Sequence, residues 1–129
     1  MIILDASAAI EWLLRTSKGL RVEAKIFSPN TLHAPHLLDV EIAHAVRRYT
    51  LDREVTPAGA EELLWTFRNL RIQRHGHMSL LWRVWELRHN LTAYDAIYIA
   101  LAELLAAPLL TCDAKIASAP GHHATVHLI

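Results

Sequence analysis

Four carboxylates stand where a short α/β chain can put them to chemical use. Asp5 directly follows the apolar run Ile2-Ile3-Leu4, and Asp113 follows the run Leu109 to Thr111. Asp95 opens the apolar stretch Tyr94 to Ala107, and Glu41 lies in the first turns of the periodic segment Leu37 to Tyr49. Oxygen-only side chains of this kind suit Mg²⁺ or Mn²⁺, whereas zinc prefers nitrogen and sulfur. A cation so held binds a phosphodiester oxygen and lowers the pKa of a water, which turns that water into a nucleophile. Without a shared cation, four converging carboxylates repel, and some of their pKa values rise. Each acid also has an ordinary structural use. An acid after a strand is commonly a turn residue or a helix cap. Thr92-Ala93-Tyr94-Asp95 fits a capping box, Glu41 can reach water from a helix margin, and Asp113 can neutralise Lys115. Spacing alone does not bring the four together.

The elements that must position them can be read from the apolar pattern. Ile2 to Leu4 is a buried strand, Ala8 to Arg15 a helix, and Ser17 the cap of a second helix through Val22 to Phe27. Ser28-Pro29-Asn30 is a turn, and Leu32 to Ala34 a brief strand before Pro35. In the helix Leu37 to Tyr49, residues Leu38, Ile42, Ala45 and Tyr49 share one stripe, and Glu41 falls roughly 60° from its middle. Thr56-Pro57 caps a helix to about Leu70, a strand covers Arg71 to Arg74, and a helix runs from Ser79 to His89. Tyr94 to Ala107 is apolar almost all round, so it is a central buried helix. Leu109 to Thr111 is a strand, Asp113 to Ala117 a helical turn, and Thr125 to Leu128 a last strand. Strands alternating with helices predict an α/β fold in three layers, a short, mostly parallel sheet flanked by helices. In such folds ligands bind beyond the carboxyl ends of the strands, where Asp5 and Asp113 stand.

With 129 residues, 53% of them hydrophobic and 20% charged, the chain suits one folded domain spanning 1–129. Basic and acidic residues balance at 13 each, so no overall basic excess advertises nucleic-acid binding. A local patch or a bound cation can still attract phosphate. A single cysteine, Cys112, makes no intrachain disulfide and suits a reducing cytoplasm. Ala96 to Leu110 carries Glu103 and Pro108 and is too short to span a bilayer, so a soluble cytoplasmic protein without membrane contact is expected.

Other residues with chemical potential have plainer uses. His33, His36, His75 and His77 have ligand-like spacing but no cysteine pairs beside them, and they read as loop or surface histidines. Trp12, Trp65, Trp82 and Trp85 fit core or interface positions better than base-stacking platforms. Most of the arginines clustered in the middle third, Arg48 among them, read as solvated helix faces, with a minority available to phosphates or an acidic partner. The four glycines form no phosphate-cradling loop, so P-loop and Rossmann cofactor sites are not expected.

The motifs themselves carry a resemblance. Ile2-Ile3-Leu4-Asp5-Ala6-Ser7-Ala8 resembles the start of a PIN domain, and Leu38-Asp39-Val40-Glu41-Ile42-Ala43-His44-Ala45 resembles the helix that carries its inward glutamate. Leu91 through Ala102, with Asp95 inside it, is the most specific match, and Leu110-Thr111-Cys112-Asp113-Ala114-Lys115 resembles the last acidic motif. The four occur in that family's order over the whole chain. The resemblance implies that Asp5, Glu41, Asp95 and Asp113 hold one or two Mg²⁺ or Mn²⁺ ions, supported by hydrogen bonds from Ser7 and Thr111. It further implies a toxin-type endoribonuclease of the VapC kind, acting on tRNA or ribosomal RNA. A homodimer and inhibition by a small VapB-like antitoxin come with that implication. A PIN-like scaffold that binds RNA or protein without cutting is the alternative. A haloacid-dehalogenase-like phosphatase needs a second aspartate two residues after Asp5, where Ser7 stands. A receiver domain needs neighbouring acids before the first helix and a phosphorylatable aspartate after a middle strand, and neither can be placed.

Overall fold

The apolar run at the start of the chain becomes the central strand. In the computed structural model, which describes residues 1–27 and 29–129, β1 (Ile2–Leu4) is buried throughout. Alternation along a strand sends Ile2 and Leu4 to one face and Ile3 to the other, and two separate cores form on these faces. Five strands lie parallel in the order β3-β2-β1-β4-β5, with β2 at Leu32–Pro35, β3 at Ile72–His75, β4 at Leu109–Thr111 and β5 at Val126–Leu128. Parallel pairing demands crossover connections, and the helices supply them. Helices α1 (Ala6–Leu13), α2 (Ser17–Ile26), α3 (Leu37–Leu51) and α4 (Pro57–Asn69) cover the face of Ile2 and Leu4. A turn of 3₁₀ helix (Met78–Leu80), then α5 (Leu81–Glu86), α6 (Ala93–Leu105) and α7 (Ala114–Ser118), cover the face of Ile3. The expected three-layer α/β architecture is the one observed.

Chain order places the site. The connections step outward from β1 to β2 to β3, then return across the sheet to β4 on the other side of β1. The order therefore reverses between β1 and β4, and a crevice opens beyond their carboxyl ends. Asp5 and Asp113 lie just past those ends. Because α6 runs back against the strand direction before β4, its first turn, with Asp95, also stands at that edge. Helix α3 leaves the end of β2, so Glu41 hangs over the same edge.

Some expected boundaries shift for local reasons. Helix α1 begins at Ala6 rather than Ala8, because the Asp5 carboxylate accepts from the Ala8 amide and caps the helix. The cap of α2 is Thr16 and not Ser17, since the Thr16 hydroxyl takes the Gly19 amide at 3.0 Å. The helix expected from Ser79 to His89 is a 3₁₀ turn followed by six α-helical residues. Strand β3 starts one residue later than expected, at Ile72. Ser28, part of the expected turn, lies outside the described residues.

Two of the histidines, His33 and His75, correct the sequence reading. His33 is buried on β2, and its ring stacks on His75 of β3 with Nδ1 2.9 Å from the His75 Nε2. His77 Nε2 accepts the Leu37 amide at 3.0 Å, which satisfies a donor at the start of α3 where the first-turn cap His36 offers no side chain. His33 and His75 are thus parts of the sheet, whereas His77 stands in the loop after β3 and His36 is exposed, as expected. Of the tryptophans only Trp12 packs against a core, while Trp65, Trp82 and Trp85 are exposed. No helix among the described residues is long and apolar enough to cross a membrane.

Candidate functional site

Asp5 is the most constrained of the four acids. It is 3% exposed, and burying a carboxylate is costly unless its oxygens are satisfied. Three donors satisfy them: the Ala8 amide at 2.9 Å and the Ser7 hydroxyl at 2.8 Å on Oδ1, and the Thr111 hydroxyl at 2.7 Å on Oδ2. The two hydroxyls are themselves held. Ser7 Oγ accepts the Cys112 amide at 2.9 Å, and Thr111 Oγ1 accepts the Asp113 amide at 2.9 Å. The ends of β1 and β4 are thereby tied together through side chains. Burial raises the Asp5 carboxyl above the ordinary aspartate range despite the opposing hydrogen bonds, and the charge of Asp113 adds to the rise.

Glu41 is half-buried, and the Tyr98 hydroxyl of α6 donates to its Oε2. Burial raises its pKa, the Tyr98 bond opposes this, and the charges of Asp5 and Asp95 raise it further. Tyr98, buried and facing these acids, is itself raised, first by burial and then by Glu41. Asp95 sits in the first turn of α6, where Thr92 caps the helix by accepting the Asp95 amide at 3.2 Å. Burial raises the Asp95 carboxyl and Asp113 raises it again, against Thr92 and Lys115. Lys115 thus bears on Asp95, whereas the sequence reading paired it with Asp113. Asp113 instead caps α7 by accepting the Lys115 amide at 2.8 Å.

The structure accordingly gathers all four predicted acids, with Ser7 and Thr111 beneath them, at one edge of the sheet. Each acid lies near enough to another for its charge to matter. Sequence reasoning missed Tyr98. A hydroxyl on a helix apolar all round needs a buried partner, and its place three residues after Asp95 points back toward that edge. Among the described residues no three His, Cys, Asp or Glu side chains stand as a ready-made cation cage. The donor chemistry nevertheless fits a hard divalent cation, being all carboxylate and mutually repelling. Beside the acids a cleft of about 610 Å³ runs between α1, α3 and the start of α6, with Ser7 and Glu41 in its wall.

The PIN domain family model matches residues 2–121, a span that holds all four acids. Ribonuclease VapC1 of Mycobacterium tuberculosis is 38% identical over 128 residues, covering 98% of this chain and 96% of its own. This chain belongs to the VapC-type PIN-domain family. A second relative, Ribonuclease VapC12 of the same organism, is 36% identical over 129 residues, covering 100% of this PIN domain and 99% of its own length. Among solved structures, Mycobacterium tuberculosis VapC20, described as a sarcin-ricin loop cleaving toxin, superposes with a TM-score of 0.66 at 13% identity. The match covers 92% of this PIN domain and 94% of that chain. At that identity the likeness bears on the fold alone.

Proposed function

We propose that this PIN domain is a toxin-type endoribonuclease that hydrolyses RNA phosphodiester bonds. Its relatives' names as ribonucleases support the reading. The observation that carries it is the gathering of Asp5, Glu41, Asp95 and Asp113 at the β1/β4 crevice. These four carboxylates are the residues that would hold Mg²⁺ or Mn²⁺. Bound there, the cation supplies positive charge to the phosphodiester and lowers the pKa of a nucleophilic water. The remaining work falls to the chain. Ser7, Thr111 and the Ala8 amide fix both oxygens of Asp5, so this acid is oriented before any substrate arrives. Tyr98 fixes Glu41, and the caps at Thr92 and Asp113 set the backbone from which the other two acids project. The hydroxyl donors favour the ionised form of Asp5, which is the form a cation requires, against the rise that burial causes. No side chain stands as a covalent nucleophile in this scheme, so water is the attacking group. The protein acts in the cytoplasm as a homodimer, on tRNA or ribosomal RNA, and a VapB-like antitoxin holds it in check.

The test is cleavage of a mixed tRNA and ribosomal RNA pool by purified protein and by Asp95→Asn, with Mg²⁺ or Mn²⁺ and with EDTA. Cuts are expected that need the cation and fall at least a hundredfold in the variant, as removal of a group that stabilises transition-state charge does (roughly 10²- to 10³-fold). Equal cutting by the variant would overturn the site. Absence of cutting by a folded parent that binds RNA would favour the scaffold reading.

A further inference from the structure

The acidic edge alone repels the phosphates of an RNA, so something beside it must hold the strand. The cleft next to the acids supplies two groups suited to that task. On α3, Glu41, His44 and Arg48 follow one another at three- and four-residue steps, so they share one helix face and all line the cleft. Arg48 stands about 10 Å along the helix axis from Glu41. It is exposed and, unlike Arg15, Arg74 and Arg83, has no carboxylate partner among the described residues. Its guanidinium lies 5.8 Å from the Tyr49 ring centroid, a placement that leaves its N–H groups free to donate. On the opposite wall stands Tyr94, the residue before Asp95, 64% exposed and stacked on no other ring among the described residues. A large aromatic ring exposed one residue from a reactive carboxylate is a stacking surface for a base. The floor between these walls is aliphatic, with Ile10 and Leu37 in it, and suits the flat faces of bases.

We propose that this cleft is the strand-binding subsite of the nuclease and takes single-stranded RNA, with Tyr94 stacking a base beside the cleaved phosphodiester and Arg48 holding a phosphate farther along the strand. The proposal rests on the ribonuclease reading for the position of the cut. Continuity with the acids and the unpaired cation on the rim favour RNA over a protein helix as occupant. Being exposed, both residues can be truncated with little effect on the fold.

The experiment measures binding of a fluorescein-labelled, mixed-sequence single-stranded decaribonucleotide by fluorescence anisotropy across a salt series. Ca²⁺ is the added cation, and a gel checks that the probe stays intact. Tyr94→Ala is expected to weaken binding on the order of tenfold with the salt slope unchanged, and Tyr94→Phe to restore it. Arg48→Ala is expected to lower the slope of log K against log salt by about 0.7, the value for one phosphate contact on a single strand. Parent-like affinity and slope in both alanine variants, with thermal melts confirming the fold, would overturn the proposal and leave the aliphatic floor to a protein partner. The two readings separate in the same samples. A parent that binds RNA through these residues but cuts none sinks the nuclease and not the subsite. A parent that cuts RNA while both variants bind and cut as well as it does sinks the subsite alone.

Discussion

Asp5 and Asp95 show how differently two acids of one cluster are supported. Asp5 has a full set of donors and holds β1 to β4, so its replacement disturbs several bonds at once. Asp95 keeps its amide bond to Thr92 whatever its side chain, which makes Asp95→Asn the cleaner probe of charge. Burial, then Asp113, raises the Asp95 carboxyl in the metal-free protein. A raised carboxyl contributes stability that is fully present below the ordinary carboxylate value near 4. That contribution is lost as pH rises through the higher folded value, because the folded state must then carry the repelling charge. Without divalent cations, Asp95→Asn is therefore expected to melt a few degrees above the parent at pH 7.5, with the gap smaller at pH 4. Thermal melts in EDTA at the two pH values check this, and a variant less stable than the parent at pH 7.5 would contradict it. At this scale the sequence was informative about the acids, because an acid directly after an apolar strand is visible in the residue order. It was silent about Tyr98 as the partner of Glu41, since a contact between α3 and α6 depends on how two helices pass over the sheet edge.

At the scale of elements, α1 and α2 must pack closely for the first acid to be held at the end of β1. Gly19 makes this possible. A Cβ there would lie 1.9 Å from the Glu11 backbone oxygen and 2.9 Å from the Trp12 Cα, so the two helices would have to separate. Gly19→Ala gains helix propensity of roughly 1 kcal/mol but adds an overpacking cost of about 1–3 kcal/mol, larger here because backbone atoms are the obstacle. A net loss of several degrees in Tm is expected, and an unchanged Tm would mean the approach is looser than described. Periodicity and capping chemistry made most helices legible: α4 opens at Thr56-Pro57 and α6 at Thr92. The errors came where one signal had two candidates or a partner lay far away in sequence. Thr16 and Ser17 are both good caps, and only the bond to Gly19 decides between them. His33 is buried because β3 brings His75 beside it, 42 residues later in the chain.

At the scale of the whole molecule, a five-stranded parallel sheet with a reversal at β1/β4 converts scattered acids into neighbours. The order of elements made the fold class legible, and the family motifs made the acids legible as a set. The strand order and the cleft beside the acids were not, because both arise from connections that sequence pattern leaves free. The central claim is that the four acids form one divalent-cation site. Its most direct test is titration of metal-free protein with Mn²⁺, following free Mn²⁺ by electron paramagnetic resonance, for the parent, Asp5→Asn and Asp95→Asn. Saturable binding of one or two Mn²⁺ by the parent, weakened at least tenfold in both folded variants, is the predicted result. Equal binding by all three proteins would contradict the claim.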